Sequence, residues 1–395
     1  MKKKVAFVHN AQWEMYNFRG EMIGELKKRG YDITVIVPPN EGKEHLFTEE
    51  LGVNLITVPM SRKGTNIKED LKLLKNLYKI YREEKFDLVY HYTIKPNIYG
   101  TLAAKLAGRK SVAITTGLGY VFINKNITSL IAQFLYKFSL TYAEEVWFLN
   151  SEDKEIFLEK DLIAESQAFI LPSEGVNTKR YIPSAKEIKD GKIKFLMIAR
   201  VLYDKGFREY VEAAKKIKSQ RPDIEFQLLG AIDNGNPSGV PKEEVDEAVE
   251  AGILNYLGTT NDVVKVIKEA DCIVLPSYRE GVSRVLMEAA SMEKPIIATN
   301  VAGCREVVDE GLTGFLCKAK NSFDLAYKIA TLINLSEEER ELMGKRARQK
   351  IVDEMDLERV IEIYDIKTTQ IITGEKEGLT VNLEELLKVK QRKNI

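Results

Sequence analysis

The sequence predicts an α/β protein made of two doubly wound domains with parallel sheets. Short β-rich runs alternate with longer helical patterns along most of the chain, which is typical of βαβ units. The alternation begins again after Ile182-Pro183, and 395 residues exceed what one hydrophobic core usually supports. We therefore expect ligands at the carboxyl ends of the strands, in a cleft between the two domains.

The first domain is predicted to span residues 1–183. Its predicted strands are KVAFVH, DITVIVPP, VNLITVP, DLVYHY, SVAITT, EVWFLN and AFILPS. Its predicted helices are EMIGELKKRG, residues 67–84, 99–106 and 129–143, and a charged helix after EVWFLN. The strand runs are rich in β-branched and aromatic residues, whereas the helical stretches carry apolar residues three or four positions apart.

The second domain is predicted to span residues 184–355. Its predicted strands are KIKFLMIAR, EFQLLGA, ILNYLG, CIVLPS, KPIIATN and GFLC. Its predicted helices cover residues 207–219, 243–251, 262–270 and 285–292, and a further helix starts near Val301. Long helices (EEERELMGKRARQKIV and LERVIEIYDIKTTQII) close the chain, and residues 356–373 form the last of them. Residues 374–395 are predicted to be a charged tail with a surface helix at 382–390.

Composition excludes several classes of protein. Lys+Arg and Asp+Glu both number 59, so overall charge gives no reason to expect a nucleic-acid partner. The three cysteines have neither C-x-x-C spacing nor a nearby histidine, which favours a reducing compartment and argues against zinc. The start of the chain lacks the apolar core of a signal peptide, and no apolar run approaches the roughly 20 residues that span a bilayer. We expect a cytoplasmic protein.

The stretch PSYREGVSRVLMEAASMEKP carries the first candidate site. It follows the buried strand CIVLPS, and a helix is predicted from Val282 or Ser283 onward. The first N–H groups of such a helix form an anion site, and Gly281 allows a phosphate to approach the backbone. Val282 and Ser283 are the predicted amide donors. Glu280 lies beside this seat, where it is predicted to accept hydrogen bonds from sugar hydroxyls.

Glu288 is a carboxylate on an otherwise apolar helix, where an unpaired charge is costly to desolvate. A ribose diol offers two hydroxyl donors to one carboxylate, and in a nucleotide sugar the ribose and the hexose lie on opposite sides of the diphosphate. The alternative is structural: Glu288 pairs with Arg284 one turn earlier, and Glu280 is a solvated turn residue. Both interpretations remain open from these residues alone.

Two cations follow the first strand of the same domain. Arg200 and Lys205 lie on the loop after KIKFLMIAR, at the same edge of the predicted sheet. Arg offers a bidentate fork to phosphate oxygens and Lys a mobile point charge, so the two could neutralise a diphosphate. No Asp-x-Asp stretch or His/carboxylate cluster offers a divalent-metal site, so we predict no metal and no cofactor beyond a nucleotide-sugar substrate. Exposed, solvated cations are the alternative.

Glycines mark two further loops. Gly303 begins a helix after KPIIATN and is predicted to contact the same ligand, with Glu306 fixing that loop. In the first domain, Gly117 and Gly119 follow the strand run SVAITT and are predicted to bind the donor by close backbone approach from the opposite wall of the cleft. A G-x-G without the remaining dinucleotide pattern does not indicate NAD.

The ordered set of Arg200, Lys205, Glu280, Glu288 and the G-x-x-E at Gly303, with Gly175-Val-Asn177, resembles the donor domain of glycosyltransferase family 4. The resemblance covers residues 1–370. It implies a retaining enzyme of the GT-B fold, with two Rossmann-like domains facing a cleft and a C-terminal helix that returns to the first domain. It also implies that Arg200 and Lys205 hold the nucleotide diphosphate, that Glu280 contacts the donor hexose and that Glu288 contacts the ribose. Arg200, Lys205 and Glu280 are thus the predicted catalytic residues.

Three first-domain segments (Tyr16-Asn-Phe-Arg19, Thr115 to Phe122 and Phe134 to Ser139) are similar to a bacterial subgroup that extends lipid-diphosphate-linked sugars. One member type is the undecaprenyl-diphosphate-bacillosamine α-1,3-N-acetylgalactosaminyltransferase. The predicted substrates are therefore a UDP-sugar, with N-acetylgalactosamine the best guess, and a polyprenyl-diphosphate-linked saccharide. Arg19, Asn17, Lys95 and Asn97 are the predicted acceptor-binding residues. The segment after DLVYHY lacks the histidine that many family members carry in the reaction pocket.

Retention is expected to proceed by front-face departure and attack, because no carboxylate of the predicted site is clearly placed under the anomeric carbon, whereas cations and amides can stabilise the leaving diphosphate. Two alternatives are a UDP-sugar 2-epimerase of the same architecture and a non-enzymatic two-domain sugar-binding protein. The epimerase needs acid/base residues around the sugar that the sequence does not offer. The Arg/Lys pair and the absent export signal argue against the sugar-binding protein.

Two helical stretches could contact a membrane surface. ITSLIAQFLYKFSL is apolar with one lysine, and KEDLKLLKNLYKIYREEK mixes leucines and tyrosines with many lysines. We expect peripheral contact with the inner face of the cytoplasmic membrane through one of them. The alternative is an ordinary core helix and an ordinary amphipathic surface helix.

Overall fold

The computed structural model of the chain describes residues 2–61, 66–118, 127–185, 187, 191–233, 235–375, 383–384 and 386–387. The chain forms two compact units, each with its own core. One contains the residues up to 175 together with those from 357 onward, and the other contains residues 176–356. Each unit is built on one parallel sheet, so the predicted α/β fold with two doubly wound domains is confirmed.

The first unit has a seven-stranded sheet in the order β3-β2-β1-β4-β5-β6-β7. Its strands are β1 (Lys4–Val8), β2 (Asp32–Val37), β3 (Asn54–Thr57), β4 (Leu88–Tyr92), β5 (Lys110–Thr115), β6 (Glu145–Phe148) and β7 (Ala168–Ile170). Its helices are α1 (Gln12–Lys28), α2 (Ile67–Glu84), α3 (Thr101–Leu106), α4 (Ile127–Leu140) and α5 (Ser151–Glu159). The central strands are buried on both faces, as parallel strands covered by helices must be.

Helix α1 begins at Gln12, whereas the sequence predicted a helix only over EMIGELKKRG, which starts at Glu21. The loop after β2 fixes this early start. The Gln12 backbone N–H donates to the Glu41 carboxylate (2.7 Å), and the Gln12 side-chain amide donates to the carbonyl of Pro38 (2.7 Å). A carboxylate at a helix N-terminus satisfies an otherwise unpaired N–H and complements the helix dipole.

The second unit has a six-stranded sheet in the order β10-β9-β8-β11-β12-β13. Its strands are β8 (Ile193–Ile198), β9 (Ile224–Leu229), β10 (Asn255–Tyr256), β11 (Cys272–Leu275), β12 (Ile296–Thr299) and β13 (Gly314–Cys317). Its helices are α6 (Phe207–Lys218), α7 (Lys242–Glu250), α8 (Val263–Glu269), α9 (Arg284–Ser291), α10 (Ala302–Arg305), α11 (Ser322–Ile333) and α12 (Glu337–Glu354). The strand order reverses between β8 and β11, and such a switch point is where open α/β sheets bind ligands.

The last long helix, α13 (Leu357–Thr373), packs on the first unit, as predicted. Tyr364 Oη lies 2.8 Å from Tyr92 Oη, and Thr368 Oγ1 lies 2.8 Å from Tyr90 Oη. Lys110 Nζ donates to the carbonyl of Ile371 (2.7 Å). These contacts join the helix to strands that lie far away in sequence, so the end of the chain completes the core of the first unit.

The chain passes from the first unit to the second at residue 175, somewhat before the boundary that the sequence predicted at residue 183. Residues 176–183 are held by second-unit groups: the Val176 N–H donates to the Met355 carbonyl (3.1 Å), and Ser291 Oγ donates to the Tyr181 carbonyl (2.6 Å). The predicted surface helix at 382–390 falls largely outside the described residues.

Candidate active site

The candidate donor site lies at the carboxyl edge of the second unit's sheet, at the switch point between β8 and β11. The loop after β8 ends in a 3₁₀ turn (Tyr203–Lys205) and Gly206, and the loop after β11 begins at Pro276. Gly206 has φ +81°, and a Cβ there would lie 2.2 Å from the Pro276 carbonyl oxygen. Only glycine permits this approach, which brings the two loops into contact.

Lys205 and Glu280 form an ion pair across these loops, with Nζ and Oε1 2.6 Å apart. Their side chains are 24% and 13% exposed, so both are largely withdrawn from water. The sequence predicted both residues at this edge, Lys205 for a phosphate and Glu280 for sugar hydroxyls. The structure adds that each is the other's partner. A pair of this kind needs a strong competing ligand before either charge is released.

Helix α9 begins at Arg284 with Ser283 as its N-cap, rather than at Val282 or Ser283 as the sequence predicted. Ser283 adopts extended backbone (φ −78°, ψ 110°) and its side chain does not cap the helix. Gly281 and Val282 are half-buried residues of the turn that leads into it. The first turn of α9 therefore follows directly on Glu280 and Gly281, and it presents backbone N–H groups without a side-chain cap.

Glu288 is buried on α9 and has partners within the protein. Arg284 Nε lies 2.9 Å from Glu288 Oε1, which is the ion pair of the structural alternative. Tyr181 Oη also interacts with Glu288: burial, reinforced by the negative charge of this carboxylate, raises the pKa of Tyr181. Since the carboxylate is satisfied locally, a ribose diol would have to share it with Arg284 and Tyr181. The predicted role of Glu288 in ribose binding stays a prediction.

Gly303 is the point at which a third loop packs against the site. A Cβ on Gly303 would lie 2.3 Å from the Gly281 carbonyl oxygen and 2.7 Å from the carbonyl carbon of Glu280. The glycine belongs to α10, a single helical turn whose C-cap residue is Glu306. Its neighbour Cys304 is buried; burial, with the nearby Glu280 charge, raises the pKa of its thiol. Gly303 thus fixes where Glu280 and Gly281 sit.

Arg200 lies at the outer rim of this edge. Its side chain is 60% exposed, and its guanidinium reaches Asp233 after β9 at 3.4 Å. The exposed side chain has room to reorient, as a diphosphate-binding arginine requires. Asp233 and Tyr181 are site neighbours that the sequence interpretation did not select. Asp233 lies on the loop that follows β9 of the same sheet, and this position was a signal that could have identified it.

In the first unit, Arg19 and Lys95 are buried in ion pairs. Arg19 pairs with Glu174, and its guanidinium carbon lies 4.2 Å from the centroid of the Tyr92 ring. Lys95 Nζ lies 2.7 Å from Asp70 Oδ1. The two cations predicted to hold the acceptor diphosphate therefore already hold carboxylates of their own unit.

The remaining first-unit candidates are polar and glycine residues. Asn97 is buried and donates through Nδ2 to the Ile114 carbonyl (3.1 Å), while the exposed Asn17 donates to the Trp13 carbonyl (2.9 Å). Gly117 has φ +129°, which fits its predicted use in a tight backbone approach. Gly119 lies outside the described residues. The acceptor-binding roles of Asn17 and Asn97 and the donor-binding roles of the two glycines stay predictions.

No group of three or more His, Cys, Asp or Glu side chains in the described residues could hold a metal ion. No helix within the described ranges is long and apolar enough to cross a bilayer. His91 is part of the core: its Nε2 lies 3.0 Å from Tyr81 Oη, and burial lowers its pKa to about 3.

The second-unit site combines the largely buried Lys205, the exposed Arg200 and the start of α9, which has no side-chain cap, on the same edge of the sheet. Such a set can neutralise the charge of a diphosphate and stabilise it as a leaving group. The adjacent carboxylates, Glu280 and Glu288, suit the hydroxyl groups of sugars. The arrangement therefore supports binding of a nucleoside diphosphate sugar.

Comparisons with known proteins show the family of the chain. Residues 179–350 match the family described as "Glycosyl transferases group 1", and residues 4–150 match "Glycosyl transferase 4-like". The chain is 30% identical over 381 residues to the N,N'-diacetylbacillosaminyl-diphospho-undecaprenol alpha-1,3-N-acetylgalactosaminyltransferase of Campylobacter jejuni, covering 92% of the chain and 98% of the relative.

Two further proteins are similar over most of their length. The UDP-Gal:alpha-D-GlcNAc-diphosphoundecaprenol alpha-1,3-galactosyltransferase of Escherichia coli is 27% identical over 334 residues, covering 81% of the chain and 85% of the relative. The crystal structure of Anabaena HepE in complex with UDP and glucose matches with a TM-score of 0.76 at 18% identity, covering 93% of this chain and 99% of that one. The chain therefore belongs to glycosyltransferase family 4, has the two Rossmann-like domains of the GT-B fold, and is a hexosyltransferase.

Proposed function

We propose that the protein transfers a sugar, with N-acetylgalactosamine the first candidate, from a UDP-sugar to a polyprenyl-diphosphate-linked saccharide, with retention of configuration and without a metal ion. The observation that carries this proposal is the Lys205–Glu280 pair at the switch point, directly before the uncapped start of α9. This position brings together a cation for the diphosphate, the start of a helix and a carboxylate that can bind sugar hydroxyls. The Campylobacter jejuni and Escherichia coli relatives, both named for diphospho-undecaprenol acceptors, support the choice of acceptor.

Donor binding begins with an exchange of partners. The diphosphate carries more negative charge than one carboxylate, so it competes with Glu280 for Lys205 and draws the exposed Arg200 inward. Glu280 is then free to accept hydrogen bonds from hydroxyls of the donor hexose. The amides at the start of α9 donate to phosphate oxygens.

Transfer follows on one face of the donor sugar. The bond between the anomeric carbon and the phosphate oxygen breaks, and its electron pair goes to the diphosphate, where Lys205, Arg200 and the α9 amides stabilise the growing charge. The acceptor hydroxyl oxygen bonds to the anomeric carbon on the face that the phosphate leaves. Its proton passes to the departing phosphate oxygen, so no enzyme carboxylate has to act as a nucleophile.

The proposed acceptor is anchored in a lipid bilayer, so we also propose that the enzyme works at the inner face of the cytoplasmic membrane as a peripheral protein. The proposed nucleotide-sugar donor, a cytoplasmic metabolite, supports this side of the membrane.

A donor panel tests the proposal. The protein is incubated with UDP-GalNAc, UDP-GlcNAc, UDP-Gal and GDP-mannose in turn, with and without a polyprenyl-diphosphate saccharide, and nucleotide release and sugar products are measured. We expect release from one UDP-sugar that depends on the acceptor, and a product with the donor's anomeric configuration. An isomerised donor would indicate an epimerase, and binding without turnover would indicate a sugar-binding protein; either result would refute the proposal.

A further inference from the structure

The outward face of α4 is apolar along its length. Leu130, Ile131, Phe134 and Phe138 are 64%, 56%, 68% and 49% exposed, and they recur at helical spacing on one side of the helix. Tyr142, just beyond the helix, extends the row, with its ring centroid 5.7 Å from that of Phe138. Surface helices normally turn polar side chains to water, so a continuous exposed apolar row marks a contact surface.

The opposite face of the same helix packs in the core of the first unit. Tyr136 and Leu140 are buried in the core of the first unit, with the Tyr136 ring packed edge-on against Phe157 (5.8 Å between centroids). The core thus uses one side of α4. The exposed row is additional apolar surface that the fold of this unit does not need.

Basic residues border the apolar row. Helix α4 contains no Asp or Glu, and Lys137 lies exposed among its apolar residues. Helix α3 packs against α4, and Lys105 Nζ of α3 lies 5.4 Å from the centroid of the Tyr142 ring. A lysine ammonium group therefore lies over an aromatic ring where the two helices meet. Such a pair suits a surface that contacts both apolar and anionic groups.

Helix α2, which packs on the other side of α3, continues this basic surface. Its exposed lysines are spaced three or four residues apart, so they form one stripe opposite the buried face of the helix: Lys68, Lys72, Lys75 and Lys79. Two exposed apolar residues, Ile67 (73%) and Leu71 (58%), lie beside this stripe at the start of the helix. All three helices cover the same side of the sheet, because each belongs to a crossover that proceeds in the same direction along the strand order.

We infer that this surface, formed by α4, α3 and α2 of the first unit, is the docking face of the protein on an anionic lipid bilayer. The apolar row of α4 enters the boundary between head groups and acyl chains, and the lysine stripe of α2 pairs with anionic head groups. The inference deepens the proposed function, since it rests on the use of a lipid-linked acceptor, and it names the part of the molecule that meets the lipid.

The face also lies close to the carboxyl edge of the first unit's sheet. In a parallel sheet the helix after a strand starts at the carboxyl edge, so the exposed residues in the first turns of α4 and α2 lie near that edge. A bilayer at these turns brings a lipid-anchored diphosphate to the edge where the first unit's candidate residues lie.

Charge decides between a bilayer and a second copy of this chain. A two-fold contact through the same face would oppose one lysine stripe to another, which is repulsive, and stable homodimer interfaces are depleted in charged residues. An anionic surface complements the stripe instead. The face therefore suits an anionic bilayer better than a second copy, and self-association is one of the outcomes that the experiment can return.

The test measures flotation of the full chain with vesicles in the absence of any acceptor. We expect binding to vesicles that contain phosphatidylglycerol, weaker binding to phosphatidylcholine alone, and a loss of the difference at high salt. The double variant Leu130→Ser/Phe134→Ser should weaken binding by about tenfold or more. Lys72→Gln/Lys75→Gln should weaken binding to anionic vesicles by about fivefold per lysine, with little effect on neutral ones.

The second unit supplies a matched control. Phe323 and Tyr327 on α11 are equally exposed (71% and 66%), so Phe323→Ser/Tyr327→Ser removes two exposed aromatic rings elsewhere and should leave vesicle binding unchanged. All altered side chains are exposed, and unchanged thermal unfolding of each variant checks that the fold is intact. Equal binding of the α4 variant and the wild type would overturn the inference, as would a dimer that dissociates on the same substitutions.

A second readout separates this inference from the proposed function. Sugar transfer is measured to a water-soluble acceptor with a short prenyl chain, for which membrane docking is not needed. If transfer persists and the wild-type protein does not bind vesicles, the docking face is wrong and the proposed reaction stands. If vesicle binding follows the predicted pattern and no donor supports transfer, the proposed reaction is wrong and the docking face stands.

Discussion

Replacing Gly303 by alanine tests whether the position of Glu280 controls transfer. In the structure an added Cβ would lie 2.3 Å from the Gly281 carbonyl oxygen and 2.6 Å from its carbonyl carbon. Both neighbours are backbone atoms, so no flexible side chain can move aside. Gly303 makes no ion pair and carries no functional side chain, which means that the substitution acts through the position of its neighbours.

The size of the displacement follows from these distances. A carbon and a carbonyl oxygen in contact are about 3.3 Å apart, so the two loops must separate by about 1 Å. Displacements of this size near reacting groups can cost about 10²-fold in rate. Overpacking of this kind also destabilises a fold by about 1–3 kcal/mol. We therefore expect Gly303→Ala to lower kcat/KM about a hundredfold in a protein that still folds.

The assay compares kcat/KM for acceptor-dependent UDP release with the midpoint of thermal unfolding. Gly24→Ala is the matched control, because an added Cβ there meets only a leucine side chain of Leu51 at 3.4 Å. Within helix α1, alanine should leave turnover unchanged and raise stability by about 0.5–1 kcal/mol. A folded Gly303→Ala enzyme with wild-type kcat/KM would refute the reasoning, since the placement of Glu280 would then not matter.

Three further predictions concern the site and the core. Lys205→Ala and Arg200→Ala should each lower kcat about 10²–10³-fold without unfolding the protein, measured by single-turnover kinetics; normal turnover in folded variants would remove these residues from the mechanism. Burial lowers the pKa of His91 to about 3, from 6.5, so the unfolded chain binds the extra proton first. This contribution to stability is complete above pH 6.5 and is lost as the pH falls towards 3, by about 1.4 kcal/mol per pH unit. Denaturant unfolding should show this slope in the wild type and a smaller one in His91→Gln; equal slopes would contradict it. The three buried cysteines have thiols of raised pKa and should react with a thiol reagent only after unfolding, whereas fast labelling of the native enzyme would contradict their burial.

The strands and most helices could be predicted from the sequence, because a parallel sheet buries both faces and leaves continuous apolar runs. The edge on which Arg200, Lys205 and Glu280 lie was predictable for the same reason, since each lies on a loop that follows such a run. The early start of α1 could not be predicted, because it depends on Glu41, which reaches the helix from another loop.

The ion-pair partners were the other feature that the sequence did not reveal. Lys205 finds Glu280 across 75 residues and Arg19 finds Glu174 across 155, and no local pattern encodes such pairs. Asp70 did leave a signal, because it shares the buried face of α2 with Leu73, Leu77 and Tyr81. A carboxylate on an apolar helix face needs a partner. This argument was applied to Glu288, and it equally predicts that Asp70 has a partner, which is Lys95.

A crystal structure of the protein with UDP tests the central claim most directly. The account predicts that the diphosphate lies at the start of α9, with Lys205 Nζ moved from Glu280 to a phosphate oxygen, Arg200 turned inward and the ribose hydroxyls on Glu288. A UDP molecule bound elsewhere, or one bound here with the Lys205–Glu280 pair intact and the ribose remote from Glu288, would contradict it.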